Sequence, residues 1–320
     1  VLRCWGQMAT YLNVFPVLLI MFLSNAIKGG KLVPELRWGS YISELRKDVV
    51  QLGFFKTKAA AKKEIYAAMV AAVEKRADST KKFGVLLSGG VDSSFIAFLL
   101  KKLGYTFKCF CVGITGSKDL TAAKYAAKKL KFKLVSNEFT VAAAEKIIRE
   151  AVELLKTTDP VTIGIAATEI AALRLAAVNK VRVVFTGLGS EEIFAGYQRH
   201  ATAQNIHEEC WRGLKGMWQR DFLRDFAVAA RFNATALTPF LDKNVIVAAM
   251  RALPEWKISG GEKKLILREI AAAAGLPKDI AFRPKMAAQY GSGFDKALEK
   301  LAKRAGFGNK RDYLVCFSQW

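Results

Sequence analysis

The chain has 320 residues, 52% of them hydrophobic, which allows one large domain or two modest ones and excludes a disordered chain. Its 50 lysines and arginines against 28 aspartates and glutamates give a net charge of +22, which favours polyanions such as nucleic acid or an anionic membrane surface. Five cysteines without a C-x-x-C pair suggest free thiols in a reducing compartment, hence the cytoplasm, and two histidines, His200 and His207, argue against a histidine-rich metal centre. Both histidines are expected at the surface.

The apolar stretch from Val14 to Phe22, interrupted by Pro16, is shorter than the roughly 20 residues of a spanning helix. No small-residue cleavage site is clear after it. Residues 1–55 are therefore expected to be a poorly defined N-terminal extension without a stable membrane span, and residues 56–320 one continuous domain. Residues 35 to 82 read as helical, with Ala, Lys and Glu dominating from Lys56 onward. Lysines set among alanines, as in Ala59 to Lys63 and Ala126 to Lys129, read as solvated helix faces. No basic motif interleaved with aromatics of the RNP type occurs, so nucleic acid is not the favoured partner.

The apolar strand Phe83 to Leu87 runs into Ser88-Gly89-Gly90-Val91-Asp92-Ser93-Ser94, and a helix follows to Leu103. Adjacent glycines let backbone N–H groups approach an anion closely, and a helix N-terminus reinforces the attraction. Ser88, Ser93 and Ser94 add hydroxyl donors. No G-x-x-x-x-G-K-[ST] occurs, so this is not a Walker A loop. Asp92 is a carboxylate at a phosphate site, which makes sense if it holds Mg²⁺.

Strand–helix units then repeat. Strand Phe107 to Gly113 leads through Thr115-Gly116-Ser117 into a helix from Leu120 to Leu130. Cys109 and Cys111 alternate within that strand and are expected in the core. A short strand, Phe132 to Val135, precedes helices at Val141 to Leu155 and Ile165 to Val178. Strand Val181 to Phe185 enters a second glycine turn, Thr186-Gly187-Leu188-Gly189-Ser190-Glu191-Glu192. The alternation predicts an α/β fold with a doubly wound, mainly parallel sheet and a ligand beyond the carboxyl ends of its strands. From Arg199 onward the pattern is mostly helical. It contains Pro239-Phe240-Leu241-Asp242, then Lys263-Lys264-Leu265-Ile266-Leu267-Arg268, then Arg283-Pro284-Lys285.

Taken in order, the loop Ser88 to Ser94, Val112-Gly113 with Gly116-Ser117-x-Asp119-Leu120, the turn Thr186 to Glu192 with Gly196-Tyr197, Pro239 to Asp242 and Arg283-x-Lys285 resemble the synthetase domain of asparagine synthetases and their β-lactam synthetase relatives. The resemblance covers about Lys56 to Tyr313 and implies the adenine nucleotide α-hydrolase type of fold with a helical C-terminal half, of the pyrophosphate-loop superfamily. It implies ATP and Mg²⁺ as cofactors. Leu86, Val112, Thr186 and Gly187 would line the adenosine pocket. Ser88, Gly89, Gly90, Asp92, Ser93 and Ser94 would hold pyrophosphate, and Asp92 and Glu191 would bind Mg²⁺, with glutamate where the family usually has aspartate. Lys285 matches the lysine that neutralises charge on the α-phosphate, so Lys285, Asp92 and Glu191 form the implied catalytic set. The implied reaction activates a carboxylate, expected to be aspartate, as an acyl-adenylate with release of pyrophosphate, and ammonia then forms the amide. Asp159, before Pro160, reads equally as a pocket residue or a helix-breaking turn.

Two departures matter. Only 87 residues precede Ser88, too few for the family's N-terminal glutaminase domain, and Cys4 makes a poor nucleophile. Ammonia is therefore expected to arrive free or from a separate glutaminase subunit. Leu188 stands where glutamine-dependent members carry a glutamate that serves amide formation, and leucine accepts no proton. Glu192 is a nearby substitute base, unless it only meets the helix dipole. Two other functions stay open: a tRNA-modifying enzyme of the same superfamily, and a nucleotide-binding protein without turnover.

Overall fold

The computed structural model describes residues 27–28, 31–284 and 286–318. Cys4, the apolar stretch Val14 to Phe22 and Lys285 lie outside the described residues. Five apolar runs form strands β1 (Phe83–Leu86), β2 (Lys108–Ile114), β3 (Leu134–Phe139), β4 (Val183–Phe185) and β5 (Thr235–Leu237). They pair in the order β3-β2-β1-β4-β5, and every pairing is parallel. The helices of eight residues or more are α1 (Glu35–Leu52), α2 (Lys58–Glu74), α3 (Val91–Lys102), α4 (Lys118–Leu130), α5 (Val141–Leu155), α6 (Pro160–Val178), α7 (Ile206–Met217), α8 (Leu223–Arg231), α9 (Lys243–Met250), α10 (Leu265–Ala273) and α11 (Phe294–Arg304).

Strands β1, β2 and β4 are buried on both faces, which explains why they read as continuous apolar runs, whereas Ser136, Asn137 and Glu138 of the edge strand β3 are exposed. Along β2, Cys109 and Cys111 join one core with α1 to α4, α7, α9 and α10. Phe110 and Val112 point the other way, into a second core with α5, α6 and α11. Burial raises both thiol pKa values, that of Cys111 to about 12, so neither is a reactive thiolate at neutral pH. Helix α6 is long and apolar enough to cross a membrane by length and composition, yet nine of its residues are buried in the protein's interior.

The helix expected over residues 35 to 82 is two helices, broken between Leu52 and Lys58. Helix α1, in the stretch read as an extension, buries Trp38, Ile42, Leu45 and Val49 in the first core. The Trp38 Nε1–H donates to the Leu214 carbonyl at 2.9 Å, and its ring meets Phe222 edge-on. Helix α3 begins at Val91 rather than at Ser94, so Asp92, Ser93 and Ser94 form its first turns. Strand β3 ends at Phe139, beyond the expected Val135, and β5 is an edge strand too short to show an apolar period. Asp159 caps α6, accepting from the Thr162 N–H at 2.8 Å, with Pro160 in the first helical position that suits its fixed φ. His200 is not a surface residue. It is fully buried, with Nδ1 accepting from the Tyr197 N–H, and burial and nearby cations lower its pKa to about 3. His207 is half-buried between Phe54 and Trp211.

Candidate active site

The loop Ser88 to Ser94 leaves the carboxyl end of β1 and turns directly into α3. The Ser88 N–H donates to Ser93 Oγ at 3.1 Å, and the two serine hydroxyls lie 3.2 Å apart. The Gly90 N–H donates to Ser88 Oγ at 3.4 Å. No side chain caps α3, whose amino end opens the loop to an anion. Gly89 has φ +69°, and a Cβ there would lie 2.5 Å from the carbonyl carbon of Ala122, so only glycine fits. Ser94 Oγ is buried with no hydrogen-bond partner among the described residues. Arg283 braces the loop from outside, donating to the Ser88 carbonyl, the Lys118 carbonyl and Asp119, each at 3.3 Å.

The second glycine turn leaves β4, the strand beside β1. That adjacency brings Asp92 and Glu191 to one point, and a lysine occupies it. Lys264 Nζ lies 2.9 and 2.8 Å from the two Asp92 oxygens, 2.7 Å from Glu191 Oε1 and 3.2 Å from Ser190 Oγ. Its side chain is 5% exposed and that of Asp92 4%. Burial opposes the ammonium, but Asp92 and then Glu191 outweigh it and hold the Lys264 pKa above its ordinary value. Gly196 makes the room. A Cβ there would stand 1.7 Å from Glu191 Oε2 and 2.3 Å from Lys264 Cε.

Glu192, next to Glu191, is itself buried and enters a partly buried ion-pair network. It pairs with Arg220, which also holds Asp221 Oδ2 at 2.6 Å. Arg224 continues the chain, 3.4 Å from Asp221 Oδ1, 2.6 Å from Asp225 Oδ1 and 3.7 Å from Glu169 Oε2. Burial first, and the Asp221 carboxylate second, push the Glu192 pKa up to about 7. A carboxyl poised near neutrality can accept or return a proton at physiological pH.

A cavity of about 1030 Å³ joins these groups. Of the residues singled out on sequence, Leu86, Ser88, Asp92, Ser93, Val112, Thr186, Gly187 and Glu191 line it. Gly89, Gly90 and Ser94 shape the loop behind that lining, and Asp159 lies outside it. Leu188 lines the same cavity as Glu192 and offers no polar atom of its side chain. Among the described residues no three His, Cys, Asp or Glu side chains gather as a metal cluster. Mg²⁺ usually takes one or two carboxylates and fills its shell with phosphate and water. Asp92 and Glu191, already converged on one cation, fit that donor set.

Sequence reasoning missed Lys264, Arg220, Asp221 and Arg224. Lys264 stood in a recognised block without a role, because one lysine among 50 basic residues carries no local signal. Its partner Asp92 is 172 positions away.

Residues 64–234 and 198–310 match the model of the family described as asparagine synthase. Asparagine synthetase [glutamine-hydrolyzing] 2 of Oryza sativa subsp. japonica is 34% identical over 243 residues, 70% of this chain and 41% of that protein. Asparagine synthetase B [glutamine-hydrolyzing] of Escherichia coli (strain K12) is 31% identical over 289 residues, 82% of this chain and 52% of that protein. Similar in structure at a TM-score of 0.42 and 13% identity is NMN synthetase from Francisella tularensis, with 82% of this chain and 94% of that one covered. The first relatives are spanned over only 41% to 61% of their length. The ordered blocks, the parallel sheet that presents them and a family match across most of the sequence agree: the chain belongs to the asparagine synthase family, a family of ATP-dependent ligases.

Proposed function

We propose that this chain is an AMP-forming amide ligase. In the first half-reaction a substrate carboxylate oxygen attacks the α-phosphorus of ATP, the bond to the β-phosphate oxygen breaks, and pyrophosphate leaves. Backbone N–H groups and hydroxyls of Ser88 to Ser94 would hold the departing pyrophosphate. Leu86, Val112, Thr186 and Gly187 would line the adenosine. Lys285 would face the charge that develops on the α-phosphate, the kind of fixed electrostatic aid that dominates such steps. Mg²⁺, held by Asp92 and Glu191, would supply charge neutralisation to the phosphates. Lys264 would keep those two carboxylates together and limit their mutual repulsion.

In the second half-reaction an amine, ammonia in the simplest case, attacks the acyl carbon and AMP leaves. Glu192 is suited to take the amine's proton, since it is buried in the cavity lining with a pKa of about 7. The partners in this reading are a small-molecule carboxylate and an amine, in the cytoplasm.

The observation that carries the reading is the meeting of the phosphate loop, Asp92 and Glu191 on Lys264 at the ends of adjacent strands. ATP–pyrophosphate exchange with Mg²⁺ across a panel of carboxylates tests it. Carboxylate-dependent exchange is expected, with AMP as the product once an amine is added. ADP as the stoichiometric product would overturn it.

A further inference from the structure

A parallel sheet gathers the amino ends of its strands along one edge, opposite the two glycine turns, and here that edge is basic. Lys81 and Lys82 precede β1, and Lys108 opens β2. Lys131 and Lys133 lead into β3, Lys180 and Arg182 into β4, and Arg231 ends the helix before β5. The helices return to the same edge, so the last turns of α3 and α4 add Lys101, Lys102, Lys128 and Lys129. Hydrogen bonds tie neighbouring turns together. Lys101 Nζ donates to the Leu130 carbonyl at 2.7 Å, and Lys108 Nζ to Asn179 Oδ1 at 3.3 Å. The connecting stretches 79–82, 101–107, 128–133, 179–182 and 231–234 contain no aspartate or glutamate. Asp78, Glu150 and Asp279 reach the edge from outside them, paired with Lys81, Arg231 and Lys129.

Two observations set this edge apart from an ordinary solvated surface. Helix dipoles favour cations in last turns, which accounts for Lys101, Lys102, Lys128 and Lys129 but not for Lys82, Lys133 and Arg182. Lys131 and Lys180 have left-handed backbones, φ +55° and +60°, where glycine or asparagine fits with less strain. The corresponding turns after α3 and α8 do use such residues, Gly104 and Asn233. Charge at Lys131 and Lys180 is thus held against the preference of the backbone. Lys82, Lys131, Lys133 and Lys180 are exposed and hold no ion pair among the described residues, so they can meet an outside anion.

Neighbouring strands stand about 4.8 Å apart, so five of them spread these cations over a row of about 20 Å, a length on which a duplex presents many phosphates. The aromatics of the same turns, Tyr105, Phe107, Phe132 and Phe232, are half-buried, which leaves no open platform for stacking the bases of a single strand. Bilayer attachment adds apolar burial to charge, and here the row is bordered by one well-exposed valine, Val178. We infer that this edge binds the phosphate backbone of a nucleic-acid duplex without reading its sequence. The missing RNP-type motif bears on single-stranded RNA, not on a duplex held by its phosphates. The lysines of α4, which alone read as a solvated helix face, become part of the row once the sheet lines them up. Both glycine turns leave the other ends of the strands, so the contact is independent of the reaction proposed above.

Fluorescence anisotropy of the full chain with labelled RNA and DNA duplexes of about 20 base pairs tests this. Binding is expected with a Kd of about 10⁻⁵ M or tighter at roughly 100 mM KCl, and log K should fall against log [KCl] with a slope of about −4 or steeper. Lys82→Gln, Lys131→Gly, Lys133→Gln and Lys180→Gly combined should weaken binding about tenfold or more and flatten the slope by about 2 to 4. Glycine suits both left-handed positions, so this variant should melt no lower than wild type. Lys82→Gln with Lys133→Gln, which leaves those positions untouched, should flatten the slope by about 1 to 2. A control of equal charge, Arg37→Gln, Lys47→Gln, Lys296→Gln and Lys300→Gln on α1 and α11, should stay within about threefold of wild type. Binding of either duplex with this pattern upholds the inference, and the tighter one names the source of the backbone. No binding of either duplex overturns it, as do equal losses in the edge variant and its control. Tighter attachment to phosphatidylserine vesicles than to either duplex, lost in the edge variant, would make this a membrane surface and overturn it too.

Discussion

Lys264 Nζ stands 2.8 Å from Asp92 Oδ2, an ion pair between a lysine at the head of α10 and a carboxylate in the first turn of α3, with Glu191 completing the group. The pair is buried on both sides, so its two halves are not independent. Replacing Lys264 by Met leaves Asp92 buried beside Glu191 without its ammonium. Breaking a buried pair in this way costs about 3–5 kcal/mol. Urea unfolding should show that loss, and ATP–pyrophosphate exchange should fall by about 10²-fold or more. Unchanged exchange in a folded Lys264→Met protein would remove Lys264 from the site.

Gly196→Ala probes the same group without removing a charge. Its Cβ would stand 1.7 Å from Glu191 Oε2, so the carboxylate must swing away from Lys264. Exchange should drop about tenfold or more while stability changes by only ~1–3 kcal/mol. A variant with wild-type exchange and wild-type Mg²⁺ dependence would show that Glu191 is not needed where it stands.

Glu192 predicts a pH dependence with a definite sign. Its pKa rises from 4.5 to about 7 on folding, so the folded protein holds a proton that the unfolded chain releases between those values. Stability is therefore undiminished by this group below about pH 4.5, falls as pH rises, and is lowest from this source above about pH 7. Glu192→Gln should flatten that slope by about 3 kcal/mol in unfolding measured from pH 4.5 to pH 8. Amide formation should climb through pH 7 in wild type, as the base ionises, and lose that limb in the variant. A wild-type pH profile in Glu192→Gln would assign the proton to another group.

Trp38→Ala tests whether the N-terminal helix belongs to the folding unit of the site. The indole is 2% exposed, bonds to Leu214 and packs on Phe222, the neighbour of Asp221. The cavity should cost about 3–5 kcal/mol. Loosening Phe222 should also disturb the Arg220–Asp221 pair and raise the KM for the activated acid. A loss below about 1 kcal/mol would mean that α1 is an appendage.

What the sequence made legible was whatever depends on near neighbours. The loop Ser88 to Ser94 and the turn Thr186 to Glu192 announce themselves through glycines, hydroxyls and preceding apolar runs, and strand–helix alternation gives the parallel sheet. Long-range groups stayed hidden. Lys264 adopts a left-handed backbone, φ +57°, that its sequence does not advertise, and it matters only because β1 and β4 are neighbours. Arg220, Asp221 and Arg224 lie on a π-helical turn and the start of α8, where they read as ordinary surface charges. His200 looked solvent-exposed for the same reason: a polar residue in a polar stretch shows its burial only once the chain has closed over it.

Arg268 ties the site together in one further way. Its guanidinium donates to the carbonyls of Lys263 at 2.8 Å, Ala281 at 2.8 Å and Arg283 at 3.1 Å. The backbone beside Lys264 and the backbone leading to Lys285 are therefore geared to one planar group. A displacement of either stretch of chain is transmitted to the other, so the cation between the two carboxylates is tied to the segment from Ala281 to Arg283. Through Arg283, whose side chain reaches the Ser88 carbonyl, the loop Ser88 to Ser94 is meshed into the same train.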